Sequence, residues 1–295
     1  LGIKEGDEVI VPNYTMVATP NSIKMFGAKP IFVDVEKDTL CLDYDKVVLS
    51  VTNKTKGIIL VSANGRFPKN ISDFQDFCRL NNISLIEDAA QSLGSFYPDG
   101  RHIGRAGIIG SFSFSAPKII STGQGGALIT DSDELNLKIR KLKDFGRASG
   151  GNDIHDTIGY NSKFTDLQAC VGIEQMKKLS ERIEKKKEIW EIYKNNLEDC
   201  NNVKLFSHDL KYTSPWFIDI IAENRDKLAK FLKEKNIGTR VMYPPLNKQR
   251  AYNEPKKHQI SEEIGKSGLW LPSSINLSKN QIIYICKMIK FFYKQ

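Results

Sequence analysis

Short apolar segments with a period of two are separated along the first hundred residues by segments with helical spacing. The pattern predicts strands at 8–11, 30–35, 57–62 and 83–86, and helices at 13–26 and 71–80. Strands that alternate with helices are typical of a parallel sheet, because consecutive parallel strands need a crossover connection. We therefore predict an α/β fold with a mostly parallel central sheet flanked by helices.

The pattern changes in the last third of the chain. A long charged helix is predicted at 180–197, followed by short strands at 203–206, 216–221 and 239–242 and by helices at 225–235 and 279–292. We expect a large domain at 1–180. Residues 181–295 are expected to form a linker helix and a smaller α+β C-terminal domain.

The segment 107–130 places a lysine between two predicted strands. Three serines alternate with two phenylalanines over 111–115, as in a half-buried strand. Pro117 has no N–H for a sheet ladder, and Lys118 follows directly. An amine desolvated at this position would favour the neutral form, which is the nucleophile that forms a Schiff base. Taken alone, however, Lys118 is more typical of a solvated surface lysine.

A carboxylate follows the predicted strand at 83–86. Asp88 would lie at the carboxyl end of this strand, where open α/β sheets bind ligands. Pyridoxal phosphate needs a lysine for its imine and an acid against its ring nitrogen. Lys118 and Asp88 supply both and are our predicted catalytic residues. The alternative for Asp88 alone is a helix N-cap.

Composition narrows the choice of partners. The net charge of +8 is spread over predicted helices, and a basic protein can favour a phosphate-rich ligand such as a nucleotide sugar. No basic stripe interleaved with aromatic residues indicates nucleic acid. The five cysteines and four histidines are scattered, which predicts reduced thiols, a cytoplasmic location and no metal site. No apolar run approaches the ~20 residues that span a bilayer, so we expect no membrane partner.

Three blocks of sequence carry a family resemblance: EDAAQS, SFSFSAPKIISTGQGGALIT and IGYNSKFTDLQACVGIEQM. In this order they resemble the DegT-type nucleotide-sugar aminotransferases, in particular perosamine-synthase-like members, which aminate C4 of a GDP-linked 4-keto-6-deoxy sugar. The resemblance implies the aspartate aminotransferase fold (fold type I) and pyridoxal 5′-phosphate as cofactor. It also implies a nucleotide-linked keto-sugar as substrate, glutamate as amino donor and a homodimer with shared active sites.

The resemblance assigns roles to single residues. Lys118 would hold the cofactor as an imine, and Asp88 would contact its ring nitrogen. The further cofactor contacts that it implies are Gln91 with the ring hydroxyl, Ser113 with the phosphate, Asn161 with the partner subunit's phosphate, and Met16 with the ring. The family has an aromatic residue where Met16 stands. Ser111 and Ser115 share the strand face of Ser113, so the alternation alone does not choose among the three serines.

The substrate contacts implied by the resemblance lie in the C-terminal part. Arg240 and Tyr243 match a segment that lines the sugar-nucleotide cleft, and Asn247 stands where the family often has a histidine. Family members also carry a Ser-Gly-Thr phosphate loop before the region where this sequence starts. We therefore expect part of the phosphate site, and a leading helix, to be absent from it.

Two other functions remain open from the sequence. One is a pyridoxal-phosphate-dependent sugar dehydratase of the same fold, although the family's dehydratases replace the imine lysine with histidine. The other is a non-catalytic sensor that keeps the fold. Covalent cofactor binding would separate the enzymes from the sensor.

Overall fold

A computed structural model describes residues 1–294 of the 295-residue chain. The larger sheet has six strands in the order β2-β1-β3-β4-β5-β6. The strands are β1 (Glu8–Pro12), β2 (Lys29–Val33), β3 (Thr55–Val61), β4 (Ser84–Asp88), β5 (Ile109–Ser113) and β6 (Gly126–Ile129). Strands β1 to β5 pair in parallel and β6 is antiparallel to β5. The predicted mostly parallel α/β sheet is confirmed.

Helices lie between and after these strands, and the first three of them pack apolar side chains against the sheet. They are α1 (Ala18–Lys24), α2 (Tyr44–Val48), α3 (Ile71–Leu80), α4 (Asp133–Lys143), α5 (Asp166–Lys177) and α6 (Leu179–Leu197). Phe74 and Cys78 of α3 pack in one core cluster of the sheet, and Ile23 of α1 packs in another. Buried apolar surface on each side of a sheet is what a parallel sheet requires.

The helix predicted at 13–26 was wrong in its first part, because α1 begins only at Ala18. The Asn13 carbonyl accepts a hydrogen bond from Leu246 N, and Asn13 N donates to the Val33 carbonyl. These tertiary bonds replace the helical hydrogen bonds of the first turn. Residues 13–17 instead form an irregular segment at the carboxyl end of β1.

A second, four-stranded sheet lies in the C-terminal part, in the order β7-β8-β10-β9. Its strands are β7 (Val203–Leu205), β8 (Ile218–Ala222), β9 (Arg240–Val241) and β10 (Gly268–Leu271), and its helices are α7 (Arg225–Glu234), α8 (Gln259–Ser267) and α9 (Lys279–Tyr293). The sequence did not predict β10 or α8. The domain boundary at residue 180 remains a prediction.

Buried polar contacts fix the two sheets to each other. The Arg66 guanidinium donates to both carboxylate oxygens of Asp219 on β8, at 3.2 and 2.6 Å, and both side chains are buried. The Asn64 side-chain carbonyl accepts from the backbone N–H groups of Trp216 and Phe217, at 2.9 and 2.6 Å. These contacts bring the start of β8 to the carboxyl ends of the large sheet.

None of the helices formed by residues 1–294 is both long enough and apolar enough to cross a membrane.

Candidate active site

A cavity of about 510 Å³ opens at the carboxyl ends of the parallel strands. In open α/β sheets this edge is where ligands bind, because the loops that leave the strands diverge there. The cavity is lined by residues that follow β1, by the ends of β4 and β5, and by the turn after β5: Thr15, Met16, Thr19, Asp88, Gln91, Ser111, Ser113, Ser115 and Lys118 among others. Most of the residues singled out in the sequence therefore share one cavity.

Asp88 is the last residue of β4 and is held by two hydrogen bonds. Its Oδ2 accepts from the Thr19 hydroxyl at 2.6 Å, and its Oδ1 accepts from Ala90 N at 3.1 Å. In the sheet register Asp88 is the partner of Ser111 on β5. The pairing explains why a carboxylate and the serines of the next strand line one cavity. Both carboxylate oxygens keep lone pairs for a further donor.

Lys118 lies in the connection between β5 and β6, where Lys118 N donates to the Ser115 carbonyl at 3.1 Å. Burial lowers the pKa of its amine from 10.5 to about 8, and the Asp88 carboxylate opposes this lowering only in part. Within residues 1–294 no ion pair joins Lys118 to a carboxylate. With a pKa of about 8, about a tenth of the amine is neutral, and nucleophilic, at pH 7.

Gln91 is buried beside these two residues. Its side-chain carbonyl accepts from Asn64 N at 2.8 Å, which fixes the orientation of the amide group. Asn64 has a positive φ of 54°, a conformation that asparagine tolerates better than most residues. The NH₂ group of Gln91 makes no hydrogen bond within the described chain and can donate to a ligand.

The three serines of the β5 segment all line the cavity, so the structure does not single out Ser113. The Ser113 hydroxyl donates to the Ser115 hydroxyl at 3.1 Å. Thr15, which the sequence did not indicate, adds a buried hydroxyl without a hydrogen-bond partner among residues 1–294. A buried, unpaired hydroxyl that lines a cavity is available for a polar ligand.

Met16 joins this cavity to a second one of about 700 Å³, which Thr15 also borders. The Met16 side chain is 46% exposed, and its Sδ accepts from Ala18 N at 3.0 Å. Arg240 and Tyr243, the two predicted substrate contacts, line the second cavity together with Lys248 and Arg250. Three cationic side chains and one phenol thus line a cavity that adjoins the cavity of Lys118.

Two residues marked by the resemblance lie elsewhere. Asn161 is exposed and forms an isolated bridge with Asp144, away from both cavities. Asn247 is buried and exchanges two hydrogen bonds with Asn13: its N donates at 2.8 Å and its Oδ1 accepts at 3.0 Å. Asn247 therefore joins the C-terminal part to the end of β1.

Trp216 is the main site residue that the sequence did not reveal. Its ring centroid lies 3.8 Å from Lys118 Nζ, and its indole N–H donates to the Pro117 carbonyl at 2.7 Å. Trp216 precedes β8, about a hundred residues from Lys118 in sequence. Only the tertiary structure brings the two residues together, and no local pattern marks the contact.

This fold, with a lysine and an aspartate at the carboxyl edge of a mixed sheet, is that of the aminotransferases of fold type I. The chain belongs to the DegT/DnrJ/EryC1/StrS aminotransferase family, whose model matches residues 1–290.

Similar proteins agree with this membership. The GDP-perosamine synthase of Escherichia coli O157:H7 is 38% identical over 297 residues, which cover 99% of this chain and 81% of that protein. The aminotransferase TlmJ from Streptoalloteichus hindustanus has a TM-score of 0.93 at 28% identity, over 99% of this chain and 81% of that one. The PLP form of Spr1654 from Streptococcus pneumoniae, described as a sugar aminotransferase, has a TM-score of 0.91 at 25% identity, over 99% and 82%.

Proposed function

We propose that this protein is a pyridoxal-phosphate-dependent aminotransferase that converts a nucleotide-linked keto-sugar, in particular a GDP-linked 4-keto-6-deoxy hexose, into an amino sugar. The observation that carries this proposal is the shared cavity of Lys118 and Asp88 at the carboxyl edge of the sheet. Family membership and the similarity to a GDP-perosamine synthase support the substrate class.

The residues that line the cavity fit the cofactor. The buried Thr15 hydroxyl lacks a partner among residues 1–294, the amide N–H groups of Gln91 are free there, and the carboxylate of Asp88 can accept a further bond. Lys118 would hold the cofactor covalently through Nζ. Asp88 would accept from its ring nitrogen, Gln91 would donate to its ring oxygen, and Ser113 would donate to its phosphate. Met16 borders the same space and offers a polarisable surface to the ring.

When bound, pyridoxal phosphate supplies an electron sink that stabilises negative charge on the carbon attached to the reacting nitrogen. The chain supplies the proton transfer. The lowered pKa of about 8 lets the Lys118 amine take a proton from the α-carbon of an amino donor, for which we propose glutamate, and return it to another carbon. The Asp88 carboxylate favours a protonated ring nitrogen by charge and by hydrogen bonding.

The second cavity is suited to the nucleotide part of the substrate. Arg240, Lys248 and Arg250 line it, and guanidinium and ammonium groups bind phosphate oxygens. Tyr243 adds a ring and a hydroxyl, and burial raises the pKa of that hydroxyl, so it stays protonated and can donate. We propose that Arg240 and Tyr243 contact the substrate here.

A homodimer is part of the proposal. Helix α5 has no buried residue, and the chain before it is also apolar and exposed. The large apolar side chains in question are Ile154, Ile158, Tyr160, Phe164, Leu167, Val171, Ile173 and Met176. Exposed apolar surface of this extent is typical of an interface. Asn161 lies within this segment, so a second copy bound there would place Asn161 at the interface, in keeping with a contact to the partner subunit's cofactor.

The test is a transamination assay on the full chain with pyridoxal phosphate, glutamate and a GDP-linked 4-keto-6-deoxy hexose. We expect the amino sugar and 2-oxoglutarate as products, identified by mass. Asp88→Asn should lower the rate by about a hundredfold or more, because the ring nitrogen loses its charged partner. Asp88→Asn should still bind the cofactor at Lys118. Cofactor binding without any amino sugar from this or related keto-sugars would contradict the proposed reaction.

The dehydratase alternative predicts loss of a hydroxyl without amine transfer, which the same mass measurement would detect. The presence of Lys118, rather than histidine, favours transamination.

A further inference from the structure

The side-chain nitrogen of Lys118 lies against an aromatic face rather than a carboxylate. Its Nζ is 3.8 Å from the centroid of the Trp216 ring, and Trp216 is almost completely buried. This distance is well within the range in which an ammonium group is attracted to an indole face. Trp216 belongs to the C-terminal part of the chain, so the smaller unit completes the surroundings of the lysine.

The Trp216 ring is fixed by contacts on several sides. Its backbone N–H donates to Asn64 Oδ1 at 2.9 Å, and its carbonyl accepts from Lys186 Nζ at 2.8 Å. Its indole N–H donates to the Pro117 carbonyl, and its ring stacks on Phe217 with centroids 3.8 Å apart. The backbone contacts fix the position of the residue, and rotation of the ring would break the indole hydrogen bond and the stacking on Phe217.

We propose that Trp216 is a positioning residue that holds the free amine of Lys118 over its indole face, in the cavity, whenever that amine is not covalently engaged. The inference rests on the proposed role of Lys118 as the cofactor-binding amine. A carboxylate in the same place would keep the amine charged and remove its nucleophilicity. An indole face attracts the ammonium more weakly, so the amine stays in place and still loses its proton readily.

Two titratable groups lie near this contact, one on β4 and one on α6. Asp88 on β4 favours the charged form of Lys118. Lys186 on α6 donates to the Trp216 carbonyl at 2.8 Å, and burial lowers its pKa to about 8. Asp88 and Lys186 are both kept in the Trp216 variants. A change in the pKa of Lys118 in those variants therefore reports the loss of the indole ring.

The experiment compares Trp216→Leu with Trp216→Phe in the full chain freed of bound cofactor, with circular dichroism as the check on folding. The pKa of Lys118 is obtained from the pH dependence of its acetylation by acetic anhydride, read by peptide mass. The exposed Lys233 on α7 in each sample is the internal reference. Leucine keeps the site apolar but removes the aromatic face, whereas phenylalanine keeps an aromatic face.

We expect Trp216→Leu to lower the pKa of Lys118 by about half a unit to one and a half units, and Trp216→Phe to lower it less. An unchanged or raised value in folded Trp216→Leu would overturn the inference. Wild-type tryptophan fluorescence gives a second measurement that needs no Trp216 variant. Its titration should include a component with the same midpoint as Lys118, and Lys118→Met should remove that component. A titration that is unchanged in Lys118→Met would overturn the inference as well.

Failure of this inference is distinguishable from failure of the proposed function. If the wild-type chain binds pyridoxal phosphate covalently at Lys118 while Trp216→Leu leaves the Lys118 titration unchanged, only the role of Trp216 is wrong. If no covalent adduct forms at Lys118, the proposed function itself fails, whatever the titration shows.

Discussion

Two buried lysines in this protein differ in what surrounds their side-chain nitrogens. Burial lowers the pKa of both Lys118 and Lys186 to about 8. Lys186 Nζ donates to the carbonyls of Trp216 and Ser273, at 2.8 and 2.5 Å, and lines neither cavity of the site. Lys118 instead faces an indole ring and an open cavity. A lowered pKa alone therefore does not distinguish the proposed reactive amine from Lys186, whereas contact with an open cavity does.

The lowered pKa of Lys118 predicts a pH dependence for cofactor binding. Only the neutral amine attacks a carbonyl, and its fraction rises with pH up to the pKa. In cofactor-free protein, the rate of imine formation with pyridoxal 5′-phosphate should rise about tenfold per pH unit below a pH of about 8 and level off above it. Stopped-flow absorbance measures this rate. A rise that continues toward pH 10.5, the value of an unperturbed lysine, would contradict the buried setting.

The elements show which features the sequence could predict. The period-two alternation of β5 and the apolar run of β4 indicated their strands, because one-sided or full burial leaves a local pattern. The four residues of β10 are all buried between β8 and β9, so they show no alternation and are too few to distinguish from other apolar runs. The contact of Trp216 with Lys118 and the contact of Asn13 with Asn247 each join residues that are far apart in sequence, so no local pattern encodes them.

The segment that follows β9 allows structural and ligand-binding roles to be separated in neighbouring residues. Asn247→Ala should lower the free energy of unfolding by about 1–3 kcal/mol, because the buried NH₂ group of Asn13 loses its acceptor, the Asn247 side-chain oxygen. Lys248→Ala removes an exposed side chain that lines the second cavity. It should leave stability within about 0.5 kcal/mol and weaken nucleotide-sugar binding.

Urea unfolding and isothermal titration with the nucleotide sugar measure the two effects. If Asn247→Ala proved as stable as wild type, the hydrogen bond between Asn13 and the Asn247 side chain would contribute nothing to stability. Equal affinity in Lys248→Ala would argue against the second cavity as the nucleotide site.

In the whole molecule, the large sheet and the C-terminal part together line the candidate site. The large sheet supplies Asp88 and Lys118, and the C-terminal part supplies Trp216, Arg240 and Tyr243. The buried Arg66–Asp219 ion pair fixes the C-terminal part to the large sheet, which keeps the two cavities next to each other. The fold class and the two catalytic candidates followed from the sequence. The way in which the C-terminal part completes the candidate site depends on tertiary contacts, so it did not follow from the sequence.

The exposed apolar surface of α5 predicts the oligomeric state. Wild-type protein should be a dimer, and Leu167→Asp should dissociate it, because burying an unpaired carboxylate at an interface is strongly unfavourable. Leu167 is 83% exposed in the single chain. Leu80→Asp is the matched control on α3, at 76% exposure, and should remain dimeric. Light scattering gives the mass of each. A monomeric wild type, or a dimeric Leu167→Asp, would show that α5 is not the interface.

Reductive trapping of the cofactor tests directly whether Lys118 is the amine that holds it. The wild-type chain is incubated with pyridoxal 5′-phosphate and treated with borohydride, and the modified lysine is located by peptide mass. We expect a phosphopyridoxyl group on Lys118 and none on Lys186, although burial lowers the pKa of both to about 8. Lys118→Ala should carry no label and should be colourless. Labelling of Lys186 or another lysine in place of Lys118, or normal transamination by Lys118→Ala, would contradict it.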